Sequence, residues 1–460
     1  MRVGVVGCGA ISDIYLTNMI HNFENLEVAA CCAGHLEHAK KKAEQYGIKG
    51  CTYEEILADP SIEMVVILTP APTHEGLIRQ ALEAGKHVYT EKTMTLAPET
   101  AAKLIELAEE KHLYLGSAPD TFLGSALQTA RKAIDDGLIG EVTSFEACAN
   151  RDLDLLASIF RFLRMPGGGI CYDFGVYYLT AIVSLFGPVD RVVSSVRNLA
   201  PKRVNVVPDS PEYGQEFDYS NESQVFTILE MKNGVTGTFC VNGDSTINDQ
   251  AVFTIYGKKG ILKLVDPNNF GGDIVYIPGV KAWTQQAVPE VLDYGFAYSE
   301  NSRGLGPSEM AEAIAEGRPN RASAKMAYHV LDTIDQIMKS AETGAFEKVP
   351  STCESRRPCR IHSLFLIGLQ VHLTEVGRAY IFDFKKTLLN VEILLKPDSS
   401  DTSVIVRSGF FNRFSAIWSR SLVTKSVKER PVYARNSLEK WQRENPATFD
   451  ASSRETGSVQ

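Results

Sequence analysis

The sequence predicts an α/β chain of two globular domains. A doubly wound parallel sheet comes first, and an α+β domain on an open, mainly antiparallel sheet follows. Three observations predict this. From Met1 to about Ser117, short apolar strands alternate with amphipathic helices. From about residue 190 to 265, strand-like runs follow one another with turns between them and no helix. The chain has 460 residues, 44% of them hydrophobic and 22% charged, which is a globular composition with enough length for two cores.

The first strand, Arg2–Val6, runs into Gly7-Cys8-Gly9-Ala10-Ile11-Ser12. Gly7 permits a tight turn, and Gly9 lets the backbone approach a pyrophosphate. Ser12 stands where a third glycine is usual and is small enough for close helix–strand packing. A helix N-terminus at Ala10–Ile11 would aim free N–H groups at the phosphates. An ordinary strand-to-helix turn is the plainer alternative. Further strands are predicted at Leu26–Cys32, Met64–Leu68, His87–Thr90 and Tyr114–Ser117, and helices at Leu36–Tyr46, Thr73–Ala84 and Ala97–Lys111. Gly47 and Gly85 sit where C-capping glycines do. Residues 1–118 therefore form the first domain.

From Ala118 the pattern changes. A helix over Ser125–Asp136 ends at Gly137 and leads to a strand at Val142–Ala149. Gly167-Gly168-Gly169 is expected to act as a hinge opening a long apolar helix through Leu185. Strands follow at Arg191–Arg197, Gln224–Met231, Val235–Val241, Gln250–Tyr256 and Ile261–Val265, with a hairpin signal at Asn233-Gly234. Helical periodicity returns over 308–343, and this α+β domain, 119–354, closes near Pro350. Residues 355–460 differ in character. They hold 17 Lys+Arg against 10 Asp+Glu, a net of +7, while the rest of the chain carries −16. They read either as an extension docking on the acidic body or as a non-native end from an altered reading frame, and 447–460 is polar enough to be disordered.

The overall net charge of −9 gives no case for nucleic acid. The nine cysteines form no C-x-x-C pair and read as buried hydrophobes of a reducing compartment, without disulfide frame or metal site. No leader pattern precedes the first strand, and the apolar run Ile361–Leu373 is too short and interrupted to span a bilayer. A cytoplasmic location with no membrane partner is expected.

Three segments carry candidate chemistry. Thr69-Pro70-Ala71-Pro72-Thr73-His74 follows a strand at its C-terminal end, the edge where open α/β sheets bind ligands. Its prolines stiffen the turn and Thr73 can cap the next helix, while His74 is either part of that edge or simply a packed or solvent-facing histidine. Glu91-Lys92-Thr93 ends the next strand at the same edge. A lysine there can stabilise alkoxide character as hydride leaves, although Glu-Lys is also a common surface pair. In Gly167–Tyr178, Asp173 and Tyr177 are four apart and share a face if the helix is regular. They form either a proton-handling pair or a packed tyrosine beside an acid.

In their order these motifs resemble the glucose–fructose oxidoreductase, inositol dehydrogenase and rhizopine-catabolism family (Gfo/Idh/MocA), from Met1 to about Glu354. The resemblance is carried by Val-Gly-Cys-Gly-Ala-Ile-Ser, Leu-Thr-Pro-Ala-Pro-Thr-His, Ala-Gly-Lys-His-Val-Tyr-Thr-Glu-Lys, Ile-Gly-Glu-Val at 139–142 and Gly-Gly-Gly-Ile-Cys-Tyr-Asp-Phe-Gly. It implies an N-terminal Rossmann domain in which Gly7, Gly9, Ala10 and Ile11 cradle the pyrophosphate. Thr69, Pro70 and His74 would line the path from adenosine to nicotinamide, with Glu91 and Lys92 beside the nicotinamide. Lys92 resembles the family's catalytic lysine and Asp173 its substrate-domain aspartate.

Three departures from the family pattern matter. Thr93 replaces the usual proline, which should loosen the turn. Tyr177 replaces the usual histidine. It would serve as acid/base if the Lys92 ammonium lowers its pKa, or else hold substrate while Lys92 alone handles the proton. The second strand ends Cys31-Cys32-Ala33-Gly34-His35 with no acid before Glu37. His35, His38 and Lys40 would attract a 2′-phosphate, which favours NADP over NAD unless Glu37 reaches back to the ribose.

The activity implied is hydride transfer between NAD(P) and a hydroxyl carbon of a sugar, polyol or related small molecule. The alternative is a catalytically inactive NAD(P)-binding sensor or regulator of the same fold. A homodimer or homotetramer through the sheet face of 224–265 is expected, with specificity in the loops 150–166 and 200–222.

Overall fold

A computed structural model describes residues 1–246, 250–282 and 284–354, and the backbone of an antiparallel strand pair, Val391–Leu395 with Val404–Ser408. The remainder of the segment 355–460, with both readings made of it, lies outside the described residues.

In chain order the first half comprises β1 (Arg2–Val6), α1 (Ser12–His21), β2 (Glu27–Cys32), α2 (Leu36–Tyr46), β3 (Lys49–Gly50), α3 (Tyr53–Ala58), β4 (Met64–Ile67), α4 (His74–Glu83), β5 (His87–Thr90), α5 (Pro98–Glu110) and β6 (Leu115–Ser117). The six strands form one parallel sheet in the order β3-β2-β1-β4-β5-β6. Strand order reverses between β1 and β4, which opens a crevice beyond their C-terminal ends. Every residue of β4 is buried, because helices cover both faces of a parallel sheet. Val3 and Val5 pack with Tyr15, Leu16 and Met19 on one face, and Val65 and Ile67 with Ile56, Ile62 and Leu82 on the other.

Local chemistry moves some expected boundaries. Helix α1 begins at Ser12, so Ala10 and Ile11 belong to the turn and not to the helix. Helix α4 begins at His74 after a single 3-10 turn over Ala71–Thr73. Thr73 makes no side-chain cap; its hydroxyl lies 2.7 Å from the Thr69 hydroxyl and donates to the Pro70 carbonyl at 2.8 Å, closing the loop on itself. Helix α3, absent from the sequence reading, is fixed by a capping box between Thr52 and Glu55.

The second half comprises α6 (Ser125–Asp135), β7 (Val142–Asn150), α7 (Leu153–Ile159), α8 (Val176–Phe186), β8 (Val189–Arg197), β9 (Lys202–Val204), β10 (Glu216–Asp218), β11 (Gln224–Met231), β12 (Thr236–Asn242), β13 (Gln250–Gly257), β14 (Gly260–Leu264), β15 (Ile274–Pro278), β16 (Glu290–Leu292), α9 (Leu305–Glu316), α10 (Ala324–Thr343) and β17 (Glu347–Lys348). Nine strands form a sheet in the order β16-β15-β14-β13-β7-β12-β11-β8-β17. It is antiparallel except at β7–β12, whose register sets Cys148 opposite Cys240. The strands 224–265 are therefore not a simple meander, because β7 is inserted between β12 and β13. Of that run, the Asn233-Gly234 turn does form a tight hairpin, with Gly234 at φ +89°.

One face of this sheet buries Phe145, Ala147, Val225, Leu229, Phe239 and Ile255 in the same core as helix α8. The expected single helix after the glycines is in fact two pieces. Cys171–Gly175 is a π-helical turn, and α8 starts only at Val176. Regular i,i+4 spacing from Asp173 to Tyr177 does not hold there.

Candidate active site

The phosphate-type turn is built on two glycines with different constraints. Gly7 has φ +107°, and a Cβ on it would lie 2.9 Å from the backbone carbon of Leu68. A Cβ on Gly9 would meet nothing within 4 Å. The buried Ser12 hydroxyl donates to the Gly9 carbonyl at 2.6 Å, so the serine ties the turn to α1 and does not hold it away. Ala10 and Ile11 are exposed on that turn.

A cavity of about 510 Å³ opens at the C-terminal ends of β1, β2 and β4. Gly7 and Gly9 form its floor, Thr69 and Pro70 one wall, and His38, Lys41 and Lys42 close its far end. His35 does not line it; that ring is exposed and packs edge-on against His38 at 5.4 Å. Lys40 is engaged by Glu37 at 3.1 Å, and Lys42 by Asp13 at 2.5 Å.

His74 does not line the cavity either. It is fully buried, with Nδ1 2.8 Å from the Thr93 carbonyl and Nε2 2.7 Å from the Thr69 carbonyl. Burial lowers its pKa against the pull of those two carbonyls. The imidazole braces one edge loop against the other. Thr93 is buried, and its carbonyl is bonded to His74. The Lys92–Thr93 peptide is cis.

Glu91 is also buried. One of its oxygens accepts from the Tyr15 hydroxyl at 2.6 Å and the other from the Lys92 backbone N–H at 3.1 Å. It supports the turn from α1 beneath it.

Lys92 and Asp173, 81 residues apart, meet. The Lys92 ammonium donates to Asp173 Oδ1 at 2.5 Å and to the Asp173 backbone carbonyl at 2.7 Å. Their side chains are 14% and 26% exposed, enough for a ligand to reach. Burial opposes the Lys92 charge, but the Asp173 carboxylate, with Tyr177 and Glu91, outweighs it and raises the pKa. The ammonium lies 5.3 Å from the centre of the Tyr177 ring, over its face. The π-turn still brings Asp173 and Tyr177 to the same lysine. Tyr177 itself departs from the expectation of a lowered pKa. Burial raises it, and the nearby Lys92 and Arg303 only partly offset the rise.

Several neighbours escaped the sequence reading. Arg303 donates to the Tyr177 hydroxyl at 3.4 Å. Asp120, just beyond β6, accepts from the Gly304 and Gly306 N–H groups at 3.2 and 2.9 Å; burial pushes its carboxyl up to about 6. An acid just beyond the C-terminal end of a parallel strand was the one available hint. Arg151 pairs with Asp266 at 2.5 Å and stacks 3.7 Å from the centre of the Phe174 ring. Glu222 accepts from the Cys171 N–H at 2.9 Å and packs so closely on Gly169 that any Cβ there would overlap its carboxylate. It thereby fixes the start of the turn that carries Asp173.

Comparison with known proteins agrees with this architecture. The description "Oxidoreductase family, NAD-binding Rossmann fold" matches residues 1–118, and "GFO/IDH/MocA C-terminal domain" matches 127–263. The chain belongs to the GFO/IDH/MocA oxidoreductase family. Among its relatives is the trans-1,2-dihydrobenzene-1,2-diol dehydrogenase of Bos taurus, 26% identical over 58% of this chain and 75% of that protein. An oxidoreductase of Rhizobium meliloti is 27% identical over 76% of this chain and 99% of that protein. A levoglucosan dehydrogenase solved with NADH and L-sorbose shares the fold at a TM-score of 0.65, with 20% identity over 76% of this chain and 99% of that one. This GFO/IDH/MocA chain is thus an NAD-binding-type oxidoreductase. Among its described residues no helix is long and apolar enough to cross a membrane, and no cluster of metal-ligating side chains occurs.

Proposed function

We propose that this GFO/IDH/MocA member moves hydride between NAD(P) and a hydroxyl carbon of a sugar, polyol or related small molecule. In this reading residues 1–118 bind the dinucleotide and 119–354 bind the substrate. The observation that carries it is the partly exposed Lys92 ammonium, held by two Asp173 oxygens at the edge of the parallel sheet.

The cavity fits a dinucleotide. Its floor at Gly9 is free of side chain, where a phosphate would need to approach, and its strand-end position is the usual one for such ligands. Gly7, Gly9, Thr69 and Pro70 would hold the group, and a bound nicotinamide supplies the hydride acceptor or donor. Ala10 and Ile11 would offer backbone N–H groups from the exposed turn. His35 and His74 act indirectly, the first beside His38 and the second by bracing Thr69 and Thr93.

Two of the three Lys92 N–H donors go to Asp173, which leaves one for a substrate oxygen. With its pKa raised, Lys92 stays an ammonium at neutral pH. It stabilises negative charge on that oxygen and gives up the proton when a carbonyl is reduced. Asp173 positions it. The raised pKa of Tyr177 favours the second of its two readings, a neutral phenol that holds substrate.

His38 and Lys41 at the far end of the cavity support NADP over NAD, with Lys42 held by Asp13 and Glu37 turned to Lys40. Phe226, Ile228 and Val252 stand exposed on the outer sheet face and support pairing of copies there.

Fluorescence titration with NADPH and NADH tests the cofactor reading; tighter NADPH binding is expected, and preference for NADH would overturn the choice. Lys92→Met should leave dinucleotide affinity within about twofold and lower kcat by about 100-fold or more. Absence of turnover across a broad panel of hydroxyl compounds, with dinucleotide binding intact, would instead favour the sensor reading.

A further inference from the structure

We infer that Arg303 is a specificity-determining residue that selects a substrate bearing a carboxylate, such as a sugar acid, over its neutral counterpart. The inference rests on the hydride-transfer reading above and adds a substrate class to it.

Arg303 is a cation of the site held by hydrogen bonds to neutral groups. Its guanidinium donates to Asn268 Oδ1 and Asn301 Oδ1, both at 2.8 Å, and to the Tyr177 hydroxyl at 3.4 Å. All three acceptors are neutral, and among the described residues no carboxylate forms an ion pair with it. Other arginines of this domain are treated differently. Arg151 has Asp266, Arg203 has Asp154 and Asp244, and Arg318 has Glu309.

The carboxylates of the site have other hydrogen-bond partners, although the Asp120 charge acts on Arg303 from beyond ion-pair distance. Asp173 holds Lys92, Glu91 holds Tyr15 and its own turn, and Asp120 accepts two backbone N–H groups. A guanidinium bonded only to amide and phenol oxygens keeps one Nη1–H, its Nε–H and part of its charge for an anion.

Its placement is also fixed. Asn18 of α1 donates to the backbone carbonyls of Asn301 and Arg303, both at 2.8 Å. Asp120 holds the N–H groups of Gly304 and Gly306, on the other side of Arg303. The loop is thereby clamped to the glycine-turn helix and to the end of β6, so the guanidinium is pre-positioned. Tyr177 stands between the two cations, with Lys92 over its ring and Arg303 at its hydroxyl. A sugar acid carries on one carbon chain both a hydroxyl for Lys92 and a carboxylate for Arg303.

The test uses the full chain loaded with the dinucleotide it binds more tightly. Probes are matched pairs: D-gluconate with D-sorbitol, D-glucuronate with D-glucose, and L-lactate with 1,2-propanediol. Binding is read by calorimetry and turnover by the nicotinamide absorbance. At least one acid should bind and react 10-fold or more better than its neutral mate. Arg303→Gln should lower kcat/KM for that acid by about 10- to 100-fold, change the neutral mate less than threefold, and leave dinucleotide affinity unchanged. Arg303→Lys should recover part of the loss. The inference is overturned if no acid exceeds its neutral mate in binding, or if Arg303→Gln weakens acid and neutral alike. If Arg303→Gln does not fold, Arg303→Lys takes its place, with a smaller loss expected for the acid alone. Arg303-dependent acid binding without any turnover would uphold the residue's role and refute hydride transfer, so the two failures are distinguishable.

Discussion

The two glycines of the first turn separate fold from function, and a pair of single substitutions tests the separation. In Gly7→Ala the new methyl would sit 2.9 Å from the Leu68 carbonyl carbon and 3.1 Å from its oxygen, both rigid backbone. The residue would also keep φ near +107°, which costs a side-chain-bearing residue about 1–2 kcal/mol. Relieving the overlap adds about 1–3 kcal/mol. A total loss of about 2–5 kcal/mol follows, read as a lower urea midpoint. In Gly9→Ala the methyl meets nothing within 4 Å, so stability should stay within about 0.5 kcal/mol of wild type. The same methyl would stand on the cavity floor where a phosphate must approach. Dinucleotide affinity should fall tenfold or more, about 1.4 kcal/mol. Urea unfolding and fluorescence titration on both variants give the four numbers. Wild-type dinucleotide affinity in Gly9→Ala would refute the placement of the phosphates. Wild-type stability in Gly7→Ala would refute the steric account of the turn.

Other outcomes follow from buried titrating groups. Burial pushes the Glu222 carboxyl up to about 7, against the pull of the Cys171 N–H. The folded protein then holds a proton that the unfolded chain releases near 4.5, so this group's contribution is full below pH 4.5 and is lost as pH rises through 7. Glu222→Gln should flatten that decline by up to about 3 kcal/mol between pH 5 and 8, and an unchanged slope of urea midpoint against pH would count against it. His329 behaves oppositely. Burial lowers it to about 4 while its Nε2 accepts the Val189 N–H at 2.9 Å. Its contribution is present above pH 6.5 and is lost as pH falls toward 4, and His329→Gln should blunt that acid sensitivity in thermal melts.

Much of this was legible because it is local. Apolar β-branched runs marked Arg2–Val6 and His87–Thr90 to the residue, and amphipathic spacing with Gly47 marked α2. The order of motifs identified both halves. What failed was non-local. No turn signal announces that β7, laid down before the hairpin strands, lies between β12 and β13. No spacing links Lys92 to Asp173 or predicts that Arg303 would arrive beside Tyr177. Nor can a sequence weigh burial against a neighbouring charge. That balance raises the Tyr177 pKa, against its acid/base reading, and burial of His74 selects its packed reading over a place in the cavity wall. Of the cations expected near the second strand, His38 lines the cavity, while His35 packs against that ring and Lys40 pairs with Glu37.

The insertion of β7 has a further consequence, for the order of events as the chain is made. β7 is complete at residue 150, yet its neighbours on either side are β12 and β13, which end at residues 242 and 257. A central strand must therefore wait, apolar side uncovered and backbone unpaired, while roughly a hundred more residues are added. Such long-range pairing slows folding and leaves an adhesive edge exposed in the interval. In the parallel sheet before it every strand has its neighbours by residue 117. Nascent chains stopped between residues 150 and 257 should therefore present a chaperone-dependent second half, and its release from chaperones should coincide with emergence of β13.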